Sequence, residues 1–308
     1  MESPQVIVVG AAGMDTKGRP KKVLVPGTSN PGDIRISVGG VGRNIAEGLA
    51  RLGVRTTLLS AVGDDEWGQR ILECTAAGGV DVSQVLIQAE YHSAAYLAIL
   101  DETGEKSISI DDMDIMETVT PRYIYAHRRW IKEADMVVMD ANLSPKAMRS
   151  LISTAQKYDV AVCADPTSAI LAQRLIEHLP DFYMITPDAS EAEALCEARL
   201  TSRSKAIGAA KRLVAMGVDI AIITLAEKGL CYATPEVGGY IPAMRSEVID
   251  RTGAGDALTA GVVFGLLNDF PVDEAVRLGV SAATLTLQCK ETVCPELSLE
   301  RLYDQLVI

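Results

Sequence analysis

The chain is 308 residues long, 48% hydrophobic and 23% charged, the balance of a globular protein with a substantial core. Its formal net charge of −12 argues against broad attraction to nucleic acid or to an anionic membrane, so a phosphate must be held locally by backbone N–H groups and a few cations. No apolar run reaches the roughly 18 residues that span a bilayer, and a first strand opening at Val6 leaves no room for a signal peptide.

In chain order, Val6–Gly10 reads as a buried strand. Residues 16 to 38 break from it, rich in Gly, Pro, Lys and Thr and ending in the alternating Asp33-Ile34-Arg35-Ile36-Ser37-Val38. A helix over Arg43–Leu52, a strand over Thr57–Val62 and a helix over Glu66–Ala77 follow. Two strands, Ala94–Asp101 and Lys106–Ile110, then flank the turn Glu102-Thr103-Gly104. With residues 16 to 38 they predict a small antiparallel β-unit standing off the main sheet. Strand and helix alternate from there: strands Met136–Asp140, Val160–Asp165, Phe182–Thr186 and Ile220–Thr224, with helices Pro145–Lys157, Ala189–Glu197 and Lys205–Met216. Such alternation predicts a mostly parallel sheet with helices on both faces. With no linker and no repeat, residues 1–308 read as one domain carrying a β appendage from about 16–38 and 90–111. Six cysteines, Cys74, Cys163, Cys196, Cys231, Cys289 and Cys294, lack CxxC spacing. They fit free thiols in a reducing cytoplasm rather than a disulfide framework or a zinc site.

The most specific local signal is Asp250-Arg251-Thr252-Gly253-Ala254-Gly255-Asp256, between a strand-like Glu247–Ile249 and an apolar helix, Ala257–Leu267. Gly253 and Gly255 let the backbone turn tightly and present N–H groups to an anion. The helix N-terminus adds unpaired donors and the positive end of its dipole, which suits a phosphoryl group. A carboxylate there repels phosphate, unless Asp256 takes the proton of an attacking hydroxyl while the amides stabilise the phosphoryl oxygens. On this segment alone, a helix cap explains Asp256 equally well. A second glycine cluster, Val38-Gly39-Gly40-Val41-Gly42-Arg43-Asn44, also joins a strand to a helix. It matches neither a P-loop nor GxGxxG; amides beside an Asn that donates and accepts suit sugar hydroxyls, as they suit a simple tight turn.

Together the two motifs, Gly39–Asn44 and Asp250–Asp256, resemble those of the ribokinase-like (PfkB-type) sugar and nucleoside kinases. Other landmarks follow in the same order: Asp15 ending the first strand, Asp165 after a strand, Thr186-Pro187-Asp188-Ala189-Ser190-Glu191, and Thr224-Leu225-Ala226-Glu227-Lys228-Gly229. The resemblance covers essentially the whole chain. Within the family it runs closest to bacterial pseudouridine kinases, at Ser29–Gly32, Gly39–Ala46, Leu59–Gly63, Leu285–Leu287 and Glu291–Ser298.

The resemblance implies a three-layer α/β/α sandwich with a small β-sheet lid, and ATP-dependent phosphorylation of a primary hydroxyl, pseudouridine being the expected acceptor. It implies Asp256 as catalytic base and Gly253, Ala254 and Gly255 as an anion hole. Asp15, Gly39, Gly40, Arg43 and Asn44 would hold the sugar, and Ser93, Ser109 and Asp112 would meet the base. Asp188, Glu191, Thr224, Lys228 and Gly229 would serve the nucleotide, Glu191 holding Mg²⁺ through water. Lys228 reads equally as a solvated surface lysine. Asp250 and the Thr252 carbonyl, with carbonyls around Cys289 and Thr292, would form a K⁺ site. A homodimer through the lid is expected, with Ile34, Ile36 and Val38 sharing one strand face and Tyr96, Ala98 and Leu100 another. Two departures from the family pattern stand out: Asp188 where Asn is usual, and Ala226 where Gly is usual.

Two other classes compete. A dinucleotide-dependent oxidoreductase lacks its GxGxxG after the first strand, where Gly10-Ala11-Ala12-Gly13 is too sparse. A non-catalytic nucleoside sensor is disfavoured by the intact Gly253-Ala254-Gly255-Asp256.

Overall fold

The computed structural model describes residues 4–244 and 246–306, so the domain drawn over 1–308 is seen without its outermost residues. The first strands are β1 (Gln5–Val9), β2 (Gly13–Pro20), β3 (Gly32–Gly39), β4 (Arg55–Leu59) and β5 (Ala61–Gly63). Next come β6 (Leu86–Gln88), β7 (Ala94–Leu100), β8 (Lys106–Asp112), β9 (Met136–Asp140) and β10 (Ala161–Asp165). The last are β11 (Met184–Ile185), β12 (Ile220–Thr224), β13 (Leu230–Ala233) and β14 (Gly238–Ile241). Eight form one sheet, ordered β14-β13-β12-β11-β10-β9-β1-β4. Neighbours from β4 to β12 are parallel, and β13 and β14 extend the other edge antiparallel.

Along β1, Ile7 and Val9 enter one apolar core while Val6 and Val8 enter a second, all four fully buried. A strand buried on both sides needs helices on both sides of its sheet. The result is the three-layer α/β/α sandwich. The helices Glu66–Ala77 and Pro145–Lys157 form as read, each started by a side chain, Asp65 or Ser144, accepting from the amide three residues on.

Several expectations need correction. The run Thr57–Val62 is two strands, β4 and β5, because β5 leaves the main sheet to pair with β6. The span Phe182–Thr186 shrinks to the two residues of β11. Glu247–Ile249 is irregular: Val248 and Ile249 are half exposed, and the Ile249 amide donates to the Leu287 carbonyl at the end of a helix rather than to a strand. Cys289 and Cys294 are not free but joined by a disulfide across a five-residue separation, their Cα atoms 5.5 Å apart. The two sulfurs meet because the loop after helix Val272–Leu287 turns back on itself, which spacing alone did not reveal.

The appendage is a four-stranded sheet, ordered β3-β2-β7-β8. It is not wholly antiparallel, since β2 and β7 are parallel. Both leave the body at their first residues, Gly13 against Ala94, and so run outward side by side. The register places Ile34, Ile36, Leu97, Ile99, Ile108 and Ile110 on one face. Tyr96, Ala98 and Leu100 therefore lie on the face opposite Ile34 and Ile36, with Asp15 and Lys17.

Helix Ala254–Leu267 is held from behind by helix Val272–Leu287. At their closest approach a Cβ on Gly261 would lie 2.8 Å from Gly279 Cα and 2.9 Å from the Leu278 carbonyl oxygen. Gly261→Val is expected to force the helices apart and to cost about 1–3 kcal/mol. An unchanged urea midpoint would show that this crossing does not position the helix.

Candidate active site

The helix read as Ala257–Leu267 begins three residues earlier, at Ala254. Its N-cap is Gly253, at φ 81°, where a Cβ would collide with the Thr292 carbonyl oxygen. Only glycine fits there. The first intrahelical bond runs from the Ala257 amide to the Gly253 carbonyl at 2.8 Å. The amides of Ala254, Gly255 and Asp256 are thus the free donors of the first turn, and Gly255 faces open space. Because Gly253 is the cap, the capping explanation of Asp256 falls: its carboxylate sits at the third helical position.

That carboxylate accepts from Asn44 Nδ2 at 2.7 Å. Asn44 lies in the first turn of helix Val41–Arg51, whose N-cap is Gly40 at φ 96°. A Cβ on Gly40 would stand 2.5 Å from the Ala11 carbonyl oxygen. The Asn44 amide is oriented from its other end, where Arg43 Nη1 donates to Oδ1 at 3.0 Å and the Thr292 hydroxyl lies 3.1 Å away. Arg43 itself is buried, paired with Glu47 and donating to Thr75. It orients the pocket from beneath.

Asp140, at the end of β9, was not singled out by sequence. It is fully buried and accepts from the amides of Ala11 at 2.7 Å and Gly42 at 2.8 Å. It thereby ties β1 to the glycine cluster, with Gly10 and Gly42 small enough to let the backbones meet. A polar end to an otherwise apolar strand was its only signal.

Asp15 is on β2, the first lid strand, since β1 ends at Val9. Its carboxylate lies where a Cβ of Gly39 would be, within 2.4 Å. Two base-contact candidates fall elsewhere. The Ser93 hydroxyl, buried, is engaged by Asp65 and the Gly63 amide. Asp112 pairs with Ala95, on the face away from Asp15, whereas Asp111 pairs with Tyr96 and Ser109 with Ala98, on the Asp15 face.

Asp188 and Glu191, the candidates for the nucleotide, form a capping box at helix Ala189–Cys196, each carboxylate accepting from the other's amide, at 2.7 and 2.8 Å. A cap needs only an acceptor, so Asp serves where the family has Asn. Thr224, ending β12, bridges to Asp188 through backbone. Beyond it Ala226 takes φ 51° and Gly229 φ 86°, which explains the glycine usual at the first position. Lys228 is exposed, as its solvated alternative has it.

Asp250 and Thr252 precede the cap. Asp250 receives Lys17 Nζ at 2.9 and 3.0 Å, Arg35 Nη1 at 3.2 Å and the Thr252 amide at 2.9 Å. Both cations come from the lid.

The cleft is crowded with carboxyls. Burial pushes Asp15 up to about 6, against the pull of Lys17 and Arg43. Burial, with the charges of Asp140 and Asp188, pushes Asp165 up to about 7. Burial and then Asp165 push Glu191 up to about 9. Asp256 lies well above the usual carboxylate range, through the enclosure of its carboxyl and then the charge of Asp165, opposed by the Asn44 bond. A carboxylate with a raised proton affinity can take the proton of a hydroxyl while the amides beside it stabilise the anion that the hydroxyl attacks.

Residues 3–297 match the family model described as pfkB family carbohydrate kinase. The chain is 34% identical over 299 residues to the pseudouridine kinase of Escherichia coli strain K12, covering 97% of this chain and 95% of that protein. It superposes on the carbohydrate kinase from Agrobacterium tumefaciens with a TM-score of 0.84 and 27% identity, over 99% of this chain and 97% of that one. The Arabidopsis thaliana ribokinase complexed with ribose and ATP aligns with a TM-score of 0.85 at 20% identity, covering both chains fully, a likeness of fold.

Asp256→Asn is expected to fold, keep ATP binding and lose roughly 10²–10⁴ of kcat; turnover within a few-fold of wild type would remove Asp256 from the chemistry. The pH dependence of stability has a definite sign. Asp15 and Asp165 bind protons more tightly folded than unfolded, so stability is fully present below the unfolded carboxylate pKa and is lost as pH rises through about 6 and about 7. Melting of the ligand-free protein should show Tm falling across that window, and a Tm that rises there would contradict the burial of these carboxyls.

Proposed function

Since the chain belongs to the pfkB family of carbohydrate kinases, we propose that it transfers the γ-phosphoryl group of ATP to the 5′-hydroxyl of a ribosyl compound, with pseudouridine the preferred acceptor and pseudouridine 5′-phosphate the product. The observation that carries the chemistry is the placement of Asp256. It sits in the first turn of a helix with free amides, bonded to an Asn44 that is itself oriented.

In this mechanism Asp15 and the glycine cluster hold the ribosyl hydroxyls, and the 5′-oxygen lies against Asp256. As that oxygen attacks the γ-phosphorus in line, its proton passes to Asp256 and the bond from the γ-phosphorus to the bridging oxygen breaks, releasing ADP. The amides of Ala254, Gly255 and Asp256 stabilise the equatorial oxygens, helped by the helix dipole. Kinases of this family use ATP with Mg²⁺. The acidic set of Asp188 and Glu191, with Asp165 nearby, suits that ion held through water, where it would neutralise charge on the phosphates. The lid closes over the acceptor and limits wasteful ATP hydrolysis.

The acceptor is proposed from the identity to the E. coli pseudouridine kinase across nearly the whole chain. A nucleoside base extending from the sugar would meet the inner lid face, where Tyr96, Ser109 and Asp111 stand on the Asp15 side. Pseudouridine offers one ring N–H more than uridine, and Asp111 is the acceptor we assign to it, in place of Asp112. The outer face supports pairing of two copies through the lid: Ile34, Ile36, Leu97, Ile108 and Ile110 are exposed, from 40% at Leu97 to 76% at Ile34. A single catalytic domain working in the cytoplasm belongs to the same proposal.

The test is a side-by-side kcat/KM for pseudouridine, uridine, cytidine, adenosine, ribose and fructose 6-phosphate. A site that leaves its acceptor unpaired discriminates by up to about 10⁴–10⁵, so pseudouridine should lead clearly. A tenfold lead by ribose or an ordinary nucleoside would leave only the broader kinase assignment.

A further inference from the structure

We propose that Lys17 is a tethered cation that serves Asp250 in place of a free monovalent ion, so that the lid itself completes the charge balance beneath the anion hole. The proposal rests on the kinase reading above and departs from the K⁺ site implied by the motif.

The Asp250 carboxylate does not fit a place in a K⁺ ligand set. An ionised carboxylate offers about four lone-pair positions. At Asp250, Oδ1 accepts from Lys17 Nζ and from the Thr252 amide, both at 2.9 Å. Oδ2 accepts from Lys17 Nζ at 3.0 Å and from Arg35 Nη1 at 3.2 Å. No position is left for an ion. The ammonium is equally complete: its three N–H groups meet the two Asp250 oxygens and the Thr252 hydroxyl. Only 12% of the Lys17 side chain and 15% of that of Asp250 is exposed, so this pair is screened less than a surface bridge. Arg35, directly opposite Lys17 across the β2–β3 ladder, comes to the same carboxylate from a more exposed position.

Position gives the pair its consequence. Lys17 is two residues from Asp15 on one face of β2, so the strand presenting a carboxylate to the acceptor also presents an ammonium to the loop of the anion hole. Thr252, which Lys17 touches, is the residue before the Gly253 cap. The ammonium holds Asp250 and Thr252 and thereby sets the start of the helix whose amides receive the phosphoryl group. A bound ion can hold that loop only at sufficient concentration and independently of the lid. Lys17 acts here as a positioning residue.

The test compares kcat and KM for wild type and Lys17→Met in K⁺, Na⁺ and choline chloride at constant ionic strength, with methylammonium as a further salt. Wild-type kcat should agree within about twofold across the salts, while Lys17→Met loses about 10²-fold, in the range known for removing one charge-stabilising group. The loss should fall on kcat more than on KM for ATP, and K⁺ or methylammonium should restore part of it by filling the vacated place. A wild-type enzyme stimulated severalfold by K⁺ over choline, or a Lys17→Met variant with wild-type kcat, overturns the proposal. A second measurement needs neither the variant nor turnover: the Tm of the wild-type protein in K⁺ and in choline. Equal values support the tethered cation, and a K⁺-specific rise overturns it. If wild type consumes ATP with no acceptor offered, it is the kinase reading that fails, and the melting comparison still decides the role of Lys17.

Discussion

The hydrogen bond between Asn44 and Asp256 joins residues 212 positions apart, and the site depends on it. Each residue lies in the first turn of a helix, Val41–Arg51 or Ala254–Leu267, so two helix N-termini converge on one point. Two dipoles, and the unpaired amides of Ala254, Gly255 and Asp256, then face the same small volume. Glycine makes the convergence possible, since Gly40 and Gly253 hold backbone conformations at the caps that a side chain would strain and block. Behind the contact, Asp140 fixes the first turn of one helix and the Gly261–Gly279 crossing fixes the body of the other.

This convergence brings electrostatic tension. Asp15, Asp140, Asp165 and Asp256 act on one another through a partly desolvated cleft, and all four hold their protons more tightly than free carboxylic acids do. A stability-optimised protein would not group them so. Groups of this kind are tolerated where function uses them: in the proposed reaction, hydroxyl donors at Asp15 and a magnesium-bound polyphosphate near Glu191 would relieve the repulsion. Asp250 is the exception. Despite burial, its carboxyl lies below the usual range, because the Thr252 amide and Lys17 hold it ionised.

The lid contributes to both sides of this balance. Its inner face supplies a carboxylate, Asp15, and two cations, Lys17 and Arg35, while its outer face is a stripe of isoleucine and leucine. Strand alternation makes the two faces inseparable: a strand that presents Asp15 and Lys17 inward must present Thr16 and Gly18 outward, beside Ile36 and Ile34. The acceptor binding and the pairing of two copies proposed above would therefore be two uses of one small sheet.

The sequence by itself determined the layered α/β architecture and the two glycine motifs. Those features rest on local physics: apolar runs of strand length, helix periodicity, and positions where only glycine can turn. Tertiary structure decided what depends on pairing between distant residues. Whether Asp111 or Asp112 shares the face of Asp15 is a matter of register, and one residue of slip exchanges the two faces. The grip of Asp140 on Gly42 spans 98 residues and that of Lys17 on Asp250 spans 233. Single carboxylates and lysines have no local pattern that announces such partners. The disulfide between Cys289 and Cys294 was likewise invisible, because their spacing says nothing of the turn that brings them together. Local constraints are written in neighbouring residues; charge partners and sheet faces exist only once the chain has closed on itself.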